Sequence, residues 1–337
     1  MQIYDGKLIN DGMGKNSTGG TEVMAGRISK LDKKLLKECQ IVVSRIEQDL
    51  DPTKIRIYYA HDLPGDPAAN HLAESGYDKF HKIVFVSNWQ MQSYITAYQI
   101  PWSKCIVMQN AVDPIPASDE KWFPENVEKI RLIYTPTPHR GLEILVPVFQ
   151  KLCENFDNLE LEVFSSFDLY GWGDRDEQFR PLIDQCKNDP KIIYHGTKTN
   201  ELVVSALKKS HIFAYPAIWP ETSCLSLMEA MSAGCVCVHS DYGALYETAA
   251  NWTHMYHYNE DRNEHAKLFY TVLASAIEDI KAGPATFGQK LKTQKSYADI
   301  FYSWDPSRRI QWNALLAMLI DSVHDRGFAG QQFVYRT

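Results

Sequence analysis

Short runs of β-branched and aromatic residues alternate along the chain with longer stretches whose apolar positions recur at helical spacing. CQIVVSRI (39–46), IRIYYAHD (55–62), KIVFVSN (82–88) and CIVMQNAV (105–112) predict four strands. RLIYTPT (131–137), LELEVFSS (159–166), KIIYHGT (191–197), HIFAYPA (211–217) and GCVCVHS (234–240) predict five more. Helical patterns fall between most of them, as in GLEILVPVFQKLCENF (141–156) and TNELVVSALKKS (199–210). Continuous apolar strands alternating with amphipathic helices predict an α/β protein with parallel sheets covered on both faces.

The pattern breaks at AVDPIPASDEKWFPENVEKI (111–130), which holds three Pro, several charges and no apolar periodicity. That composition suits a linker between two α/β domains. Two open sheets facing each other would enclose a cleft, and ligands of such sheets bind outside the carboxyl ends of the strands. Loops that follow strands are therefore where chemistry is expected.

One such loop stands out in AYPAIWPETSCLSLMEAMSAGCVCVHSD (214–241). A helix is expected from Cys224 to Ala233, with Ser223 as N-cap and Gly234 just past the end. Cys224, Leu227, Met228 and Met231 share one buried face, and Glu229 points away from it. Glu221 lies just before the helix, beside its free N–H groups. Two carboxylates flanking a helix start can each accept paired sugar hydroxyls, and the helix start favours an anion. One acid for a hexose and one for a ribose fits a nucleotide sugar. Taken alone, two Glu at this spacing are more often solvated surface acids.

Composition narrows the setting. The chain has 337 residues, enough for two domains at roughly 150 each. Its net charge of −7 argues against non-specific binding to a phosphate backbone. The seven Cys have no metal-ligand spacing, and the C-x-C of Cys235 and Cys237 lies in an apolar run, so all are expected reduced in a cytoplasmic protein. MQIYDGKLIND carries no signal-peptide pattern, and no run approaches the ~18 apolar residues of a membrane span.

The segment PETSCLSLMEAMSAGCVCV (220–238) resembles the E-x7-E region of retaining glycosyltransferases of the GT-B fold, particularly family 4. Five further segments agree in the family's order. NSTGGTE (16–22) is similar to its G-G-x-E loop. FVSNW (85–89) with QNAVD (109–113) is similar to the approach to its second domain. YTPTPHRGLEIL (134–145) resembles its R/K-G-L segment, DYGALYE (241–247) the glycine and acid that follow, and YSWDP (302–306) the aromatic turn before its last helix.

The resemblance implies two facing Rossmann-like domains with a donor cleft between them. The first would span 1–115 and be completed by a C-terminal helix, 305–337; the second would span 130–304. It implies a metal-independent, cofactor-free transfer of a sugar from a nucleotide sugar to a hydroxyl acceptor, with retention. Arg140, Glu221 and His61 would be catalytic, Arg140 on the pyrophosphate, Glu221 on the sugar hydroxyls and His61 near the donor sugar. Gly19, Gly20, Thr137, Ser223, Cys224, Leu225 and Glu229 would bind the donor, Glu229 at the ribose. The chain departs from the family pattern at Thr135 or Pro136, where many relatives carry Arg, and after Glu221, where a small Phe-Gly pair is usual. The first half is short for the family, which bears on the acceptor. Asp174-Arg175-Asp176 has the form of a metal-binding D-x-D but sits in a Gly- and aromatic-rich loop, and is expected to be solvated. Alternatives of the same architecture are a nucleotide-sugar epimerase and a non-catalytic nucleotide-sugar-binding protein. Donor base, sugar, acceptor and oligomeric state are not written in these residues.

Overall fold

The computed structural model describes residues 1–10, 17–46, 49–116 and 128–324. Most of the expected linker (117–127), the end of the expected C-terminal helix (325–337) and Asn16 of the glycine loop lie outside the described residues. The chain divides into two compact units, Met1–Asn110 with Trp304–Thr337, and Ala111–Ser303.

The first unit opens with a hairpin of β1 (Gln2–Tyr4) and β2 (Lys7–Ile9). Asp5 and Gly6 turn it at φ 48° and 70°, the left-handed pair that an Asp-Gly hairpin turn needs. Then come α1 (Gly20–Ile28), α2 (Lys33–Lys37), β3 (Cys39–Val43), β4 (Ile55–Ala60), β5 (Lys82–Phe85), α3 (Asn88–Tyr98) and β6 (Cys105–Val107). The sheet order is β2-β1-β3-β4-β5-β6, with β3 to β6 parallel and β1 antiparallel to β3. The sheet is thus mixed rather than all parallel, and β1 and β2, three residues each, are too short to register in the hydrophobic pattern. Ser87 caps α3 by accepting from the Gln90 N–H at 3.0 Å, and Tyr94 packs on Phe85 with ring centroids 5.2 Å apart. Tyr94 is core, whereas Trp102, just beyond the helix, is exposed.

The second unit contains β7 (Ile130–Tyr134), α4 (Leu142–Cys153), β8 (Leu159–Val163), α5 (Arg180–Asn188), β9 (Ile192–Tyr194) and α6 (Asn200–Lys209). It continues with β10 (Ile212–Tyr215), α7 (Leu225–Ser232), β11 (Val236–Ser240), α8 (Leu245–Ala249), β12 (His254–Tyr256), α9 (Arg262–Ala282) and α10 (Pro284–Phe301). All pairings are parallel, in the order β12-β11-β10-β7-β8-β9. From β7 the chain runs outward to β9, then jumps back to β10 on the other side of β7 and runs outward to β12. That is the doubly wound nucleotide-binding order, with its switch point between β7 and β10. Leu132, Ile133, Tyr134, Ile212, Phe213, Ala214 and Tyr215 are all 0% exposed, which is why these strands read as unbroken apolar runs. The chain returns to the first unit at Trp304, where α11 (Arg309–His324) buries Trp312 edge-on against Tyr59 at 5.0 Å.

All nine strands expected from the sequence are present, each shorter than its apolar run. The helix expected at 224–233 begins one residue later. Cys224 rather than Ser223 takes the N-cap position, without a side-chain cap, and Gly234 follows the end at φ 70°. Cys224, Leu227, Met228 and Met231 are buried as their spacing implies.

Candidate functional site at the β7 and β10 strand ends

At the switch point two loops leave neighbouring strands side by side. The loop after β7 runs Thr135-Pro136-Thr137-Pro138-His139-Arg140 and is braced from below. Tyr134 donates to the Thr137 carbonyl at 2.9 Å, and Ser165 donates to the Pro136 carbonyl at 2.7 Å. Gly141 then turns at φ 142°, where a Cβ would lie 2.3 Å from the Pro216 carbonyl oxygen. Only glycine lets this loop lie against the loop after β10, and the Ile218 N–H closes the contact on the Arg140 carbonyl at 3.0 Å.

The β10 loop is fixed from its other side. Ser240 donates to the Ala217 carbonyl at 2.8 Å, and the Ala244 N–H donates to the Glu221 carbonyl at 2.7 Å. Gly243, at φ 68°, sits so close to Glu221 that a Cβ would come within 2.5 Å of its backbone N and O. The glycine of DYGALYE is therefore a seat for Glu221.

These constraints bring Arg140 and Glu221 together. Arg140 Nη1 donates to Glu221 Oε1 at 2.6 Å, and the Tyr215 hydroxyl donates to the same oxygen at 2.5 Å. The Glu221 side chain is only 6% exposed and that of Arg140 22%. A carboxylate this buried is stable only when paired. Burial opposes the charge on Arg140, but Glu221, with Tyr170 and Tyr215, outweighs it and holds the guanidinium pKa well above its usual value. Trp219 packs its ring 5.8 Å from the guanidinium and is partly exposed. His139 stacks on Phe167 at 5.0 Å and meets Trp219 edge-on at 4.9 Å. Burial, with Arg140 and Arg175 nearby, pushes its pKa down to about 4, so the ring is neutral at pH 7.

The polar atoms left over point to a ligand. Among the described residues of the second unit, six buried side-chain polar atoms have no hydrogen-bond partner. They are Thr135 Oγ1, Thr137 Oγ1, His139 Nδ1, Arg140 Nε, Thr197 Oγ1 and Ser223 Oγ. All belong to loops that follow β7, β9 or β10, at the carboxyl edge of the sheet. Five of the six lie in the loops after β7 and β10, at the switch point where ligands of such sheets bind, and ten more such atoms lie among the described residues of the first unit. Arg140 uses one N–H on Glu221 and retains donors for an anion.

Thr137, Arg140, Glu221, Ser223, Cys224 and Leu225 gather here. Glu229 lies over a turn further along α7, half-buried, and accepts from Asn200 Nδ2 at 3.1 Å. Gly19, Gly20 and His61 belong to the first unit. Gly19 precedes α1 at φ −67° and ψ 174°, a conformation open to any residue, so its own backbone does not demand glycine. His61 follows β4 with its ring edge-on to Tyr59 at 4.2 Å, and burial pushes its pKa down to about 3. The sequence did not single out Tyr215, His139, Trp219 or Thr197, although each lies at or just after a strand end. The solvated reading of the D-x-D holds for Asp174 alone, because Asp176 is half-buried and accepts from Ser166 Oγ at 2.6 Å and the Phe167 N–H at 2.8 Å. It braces the loop after β8.

Comparison with known proteins fits this geometry. The fold is that of the GT-B glycosyltransferases, with two Rossmann-like α/β domains. Residues 119–279, the part that builds this site, match the family described as glycosyl transferases group 1. No curated protein sequence matches the chain. Among solved structures it is similar to a glycosyltransferase from Rickettsia africae ESF-5 (14% identity, TM-score 0.63, covering 91% of this chain and 84% of that one). It is also similar to a sucrose-phosphate synthase from Thermosynechococcus elongatus (15%, 0.60, 80% and 69%). A third is Anabaena HepE, solved in complex with UDP and glucose (13%, 0.58, 90% and 76%). At such identities the likeness is one of fold. No helix among the described residues is long and apolar enough to cross a membrane.

Proposed function

We propose that this protein is a retaining, metal-independent glycosyltransferase of the family 4 type, moving a hexose from a nucleotide sugar to a hydroxyl acceptor. The observation that carries the reading is the cluster of unsatisfied hydroxyls and the Arg140 guanidinium at the β7–β10 switch point. It lies within the segment that matches glycosyl transferases group 1.

In this reading the donor's phosphates lie against Arg140, Thr137, Ser223 and the uncapped start of α7 at Cys224 and Leu225. Glu221 accepts hydroxyls of the sugar and Glu229 those of the ribose. Gly19, Gly20 and His61, in the first unit, enter this reading through the family resemblance alone. Arg140 stabilises the charge that develops on the departing phosphate, and that phosphate takes the acceptor's proton on the face from which it leaves. No metal or cofactor is assigned a part. The seven free cysteines, five of them buried, suit a reducing, cytoplasmic setting.

The test is nucleotide release from sugar conjugates of uridine, guanosine and adenosine diphosphates, in wild type and Glu229→Ala. Release from one class, lost in the variant, is the expected result. Interconversion of the donor's sugar without transfer would replace this reading by an epimerase. Neither release nor ligand-induced thermal stabilisation with any conjugate would remove the donor site altogether.

A further inference from the structure

Glu221 is fixed more tightly than a ligand-binding acid requires for folding alone. Its backbone is clamped by Gly243 and Ala244, and two donors converge on its side chain. Both donors, Arg140 Nη1 and Tyr215 Oη, take the same oxygen, Oε1. Oε2 accepts no hydrogen bond among the described residues. Each carboxylate oxygen can accept two hydrogen bonds, so Oε1 meets both donors by itself. Here both sit on one side, and the other oxygen keeps its lone pairs.

Tyr215 is the last residue of β10 and is 0% exposed. Its ring is wedged between Tyr134 and Phe213, each edge-on at 6.0 Å, so the hydroxyl has one direction to point. Burial and the neighbouring Glu221 raise its pKa well above the usual value, against the opposing pull of Arg140. The group keeps its proton and can act towards the carboxylate only as a donor. The Arg140 bond alone would allow the carboxylate to rotate about its last torsion. The second donor removes that freedom.

We propose that Tyr215 is a positioning residue for Glu221: with Arg140 it locks Oε1, so that Oε2 is presented to the hydroxyls of the donor's sugar. This rests on the donor-site reading above and deepens it. Tyr215 touches no reacting atom. Its contribution is to sugar recognition, separate from recognition of the nucleotide.

The experiment compares dissociation constants of each nucleoside diphosphate (uridine, guanosine, adenosine) with those of its glucose and N-acetylglucosamine conjugates. It uses the full chain as wild type, Tyr215→Phe, Glu221→Gln and the double variant. Tyr215→Phe should weaken the conjugate about five- to tenfold relative to the bare diphosphate, and add nothing in the Glu221→Gln background. Equal weakening of diphosphate and conjugate, or an additive double variant, overturns the positioning role and leaves the donor site standing. A wild type that binds none of the ligands overturns both. Should Tyr215→Phe fail to fold, Tyr215→His, which keeps a ring but withdraws the hydroxyl, takes its place in the same cycle with the same expected and overturning results.

Discussion

Glu221 and Glu229 stand eight positions apart in one segment, yet the two places could hardly differ more. Glu221 is 6% exposed at its side chain, ion-paired, hydrogen-bonded and clamped through its backbone. Glu229 rides a helix face, half-buried, with Asn200 as a neighbour. The first belongs to the fold as much as to the site, because a buried charge needs its partner for the chain to fold at all. The second can change without disturbing the fold. Substitutions at the first should therefore alter stability and activity together, and substitutions at the second activity alone.

The largest expected break is Arg140→Ala. It leaves the Glu221 carboxylate buried without its cation, which should cost about 3 kcal/mol, at the lower end for a broken buried pair because Arg140 is partly exposed. Urea denaturation measures it. Donor turnover should fall at the same time by about ten- to a hundredfold, mainly in kcat. An unchanged denaturation midpoint would mean that Glu221 does not depend on Arg140. Next in size is Gly243→Ala. A left-handed conformation costs about 1–2 kcal/mol for a residue with a Cβ, and the clash at 2.5 Å with the Glu221 backbone adds to it. A loss of about 2 kcal/mol or more is expected, with activity falling in step because the seat of Glu221 has moved. The same substitution at Gly26, inside α1 where a Cβ would meet nothing within 4 Å, should instead stabilise by up to about 1 kcal/mol.

The comparison also shows what was legible in the sequence. The nine apolar strands and the buried stripe of α7 follow from hydrophobic pattern, which tertiary structure here does not override. The β1–β2 hairpin was missed because each strand has three residues, although Asp5-Gly6 between two apolar pairs is a hairpin signal. Strand order is invisible in a pattern, so the jump from β9 to β10 that makes β7 and β10 neighbours could not be foreseen. Nor could the pairing of Arg140 with Glu221, 81 positions apart. Tyr215 was hidden for a different reason. In a continuous apolar strand an aromatic reads as core, and its hydroxyl gains meaning only when its neighbour is known. Ser223 was misplaced by one residue because a Ser ahead of an apolar run looks like a cap, whereas its hydroxyl is buried without a partner.

Acid should separate the two regions more gently. His139, beside Arg140, has its pKa pushed down to about 4 from an ordinary value near 6.5, so it is neutral in the fold where the unfolded chain is charged. Between those values the unfolded state binds more protons, and stability falls as pH drops from about 6.5 towards 4. For a half-buried ring the loss should be about 1 kcal/mol. His239 is wholly buried, is also pushed down to about 4, and acts in the same sense. The share of the Glu221 region is isolated by His139→Phe, which keeps the stack on Phe167 and should flatten the profile between pH 6.5 and 4 relative to wild type. A profile of unchanged slope would mean that the ring carries its proton in the fold.

The smallest effect on the fold is expected at Glu229→Ala. Glu229 occupies the middle of α7, where alanine is the better helix former, and its contact with Asn200 is an exposed hydrogen bond of 3.1 Å. Stability should change by less than about 0.5 kcal/mol. If Glu229 holds the donor's ribose, the same substitution removes a charge-assisted contact made equally in the ground and transition states. Donor KM should then rise by about tenfold or more while kcat changes little. Kinetics and denaturation on one preparation decide it. A fall in kcat with KM unchanged would move Glu229 from nucleotide binding to the chemical step, and the two acids of the segment would no longer divide the donor between them.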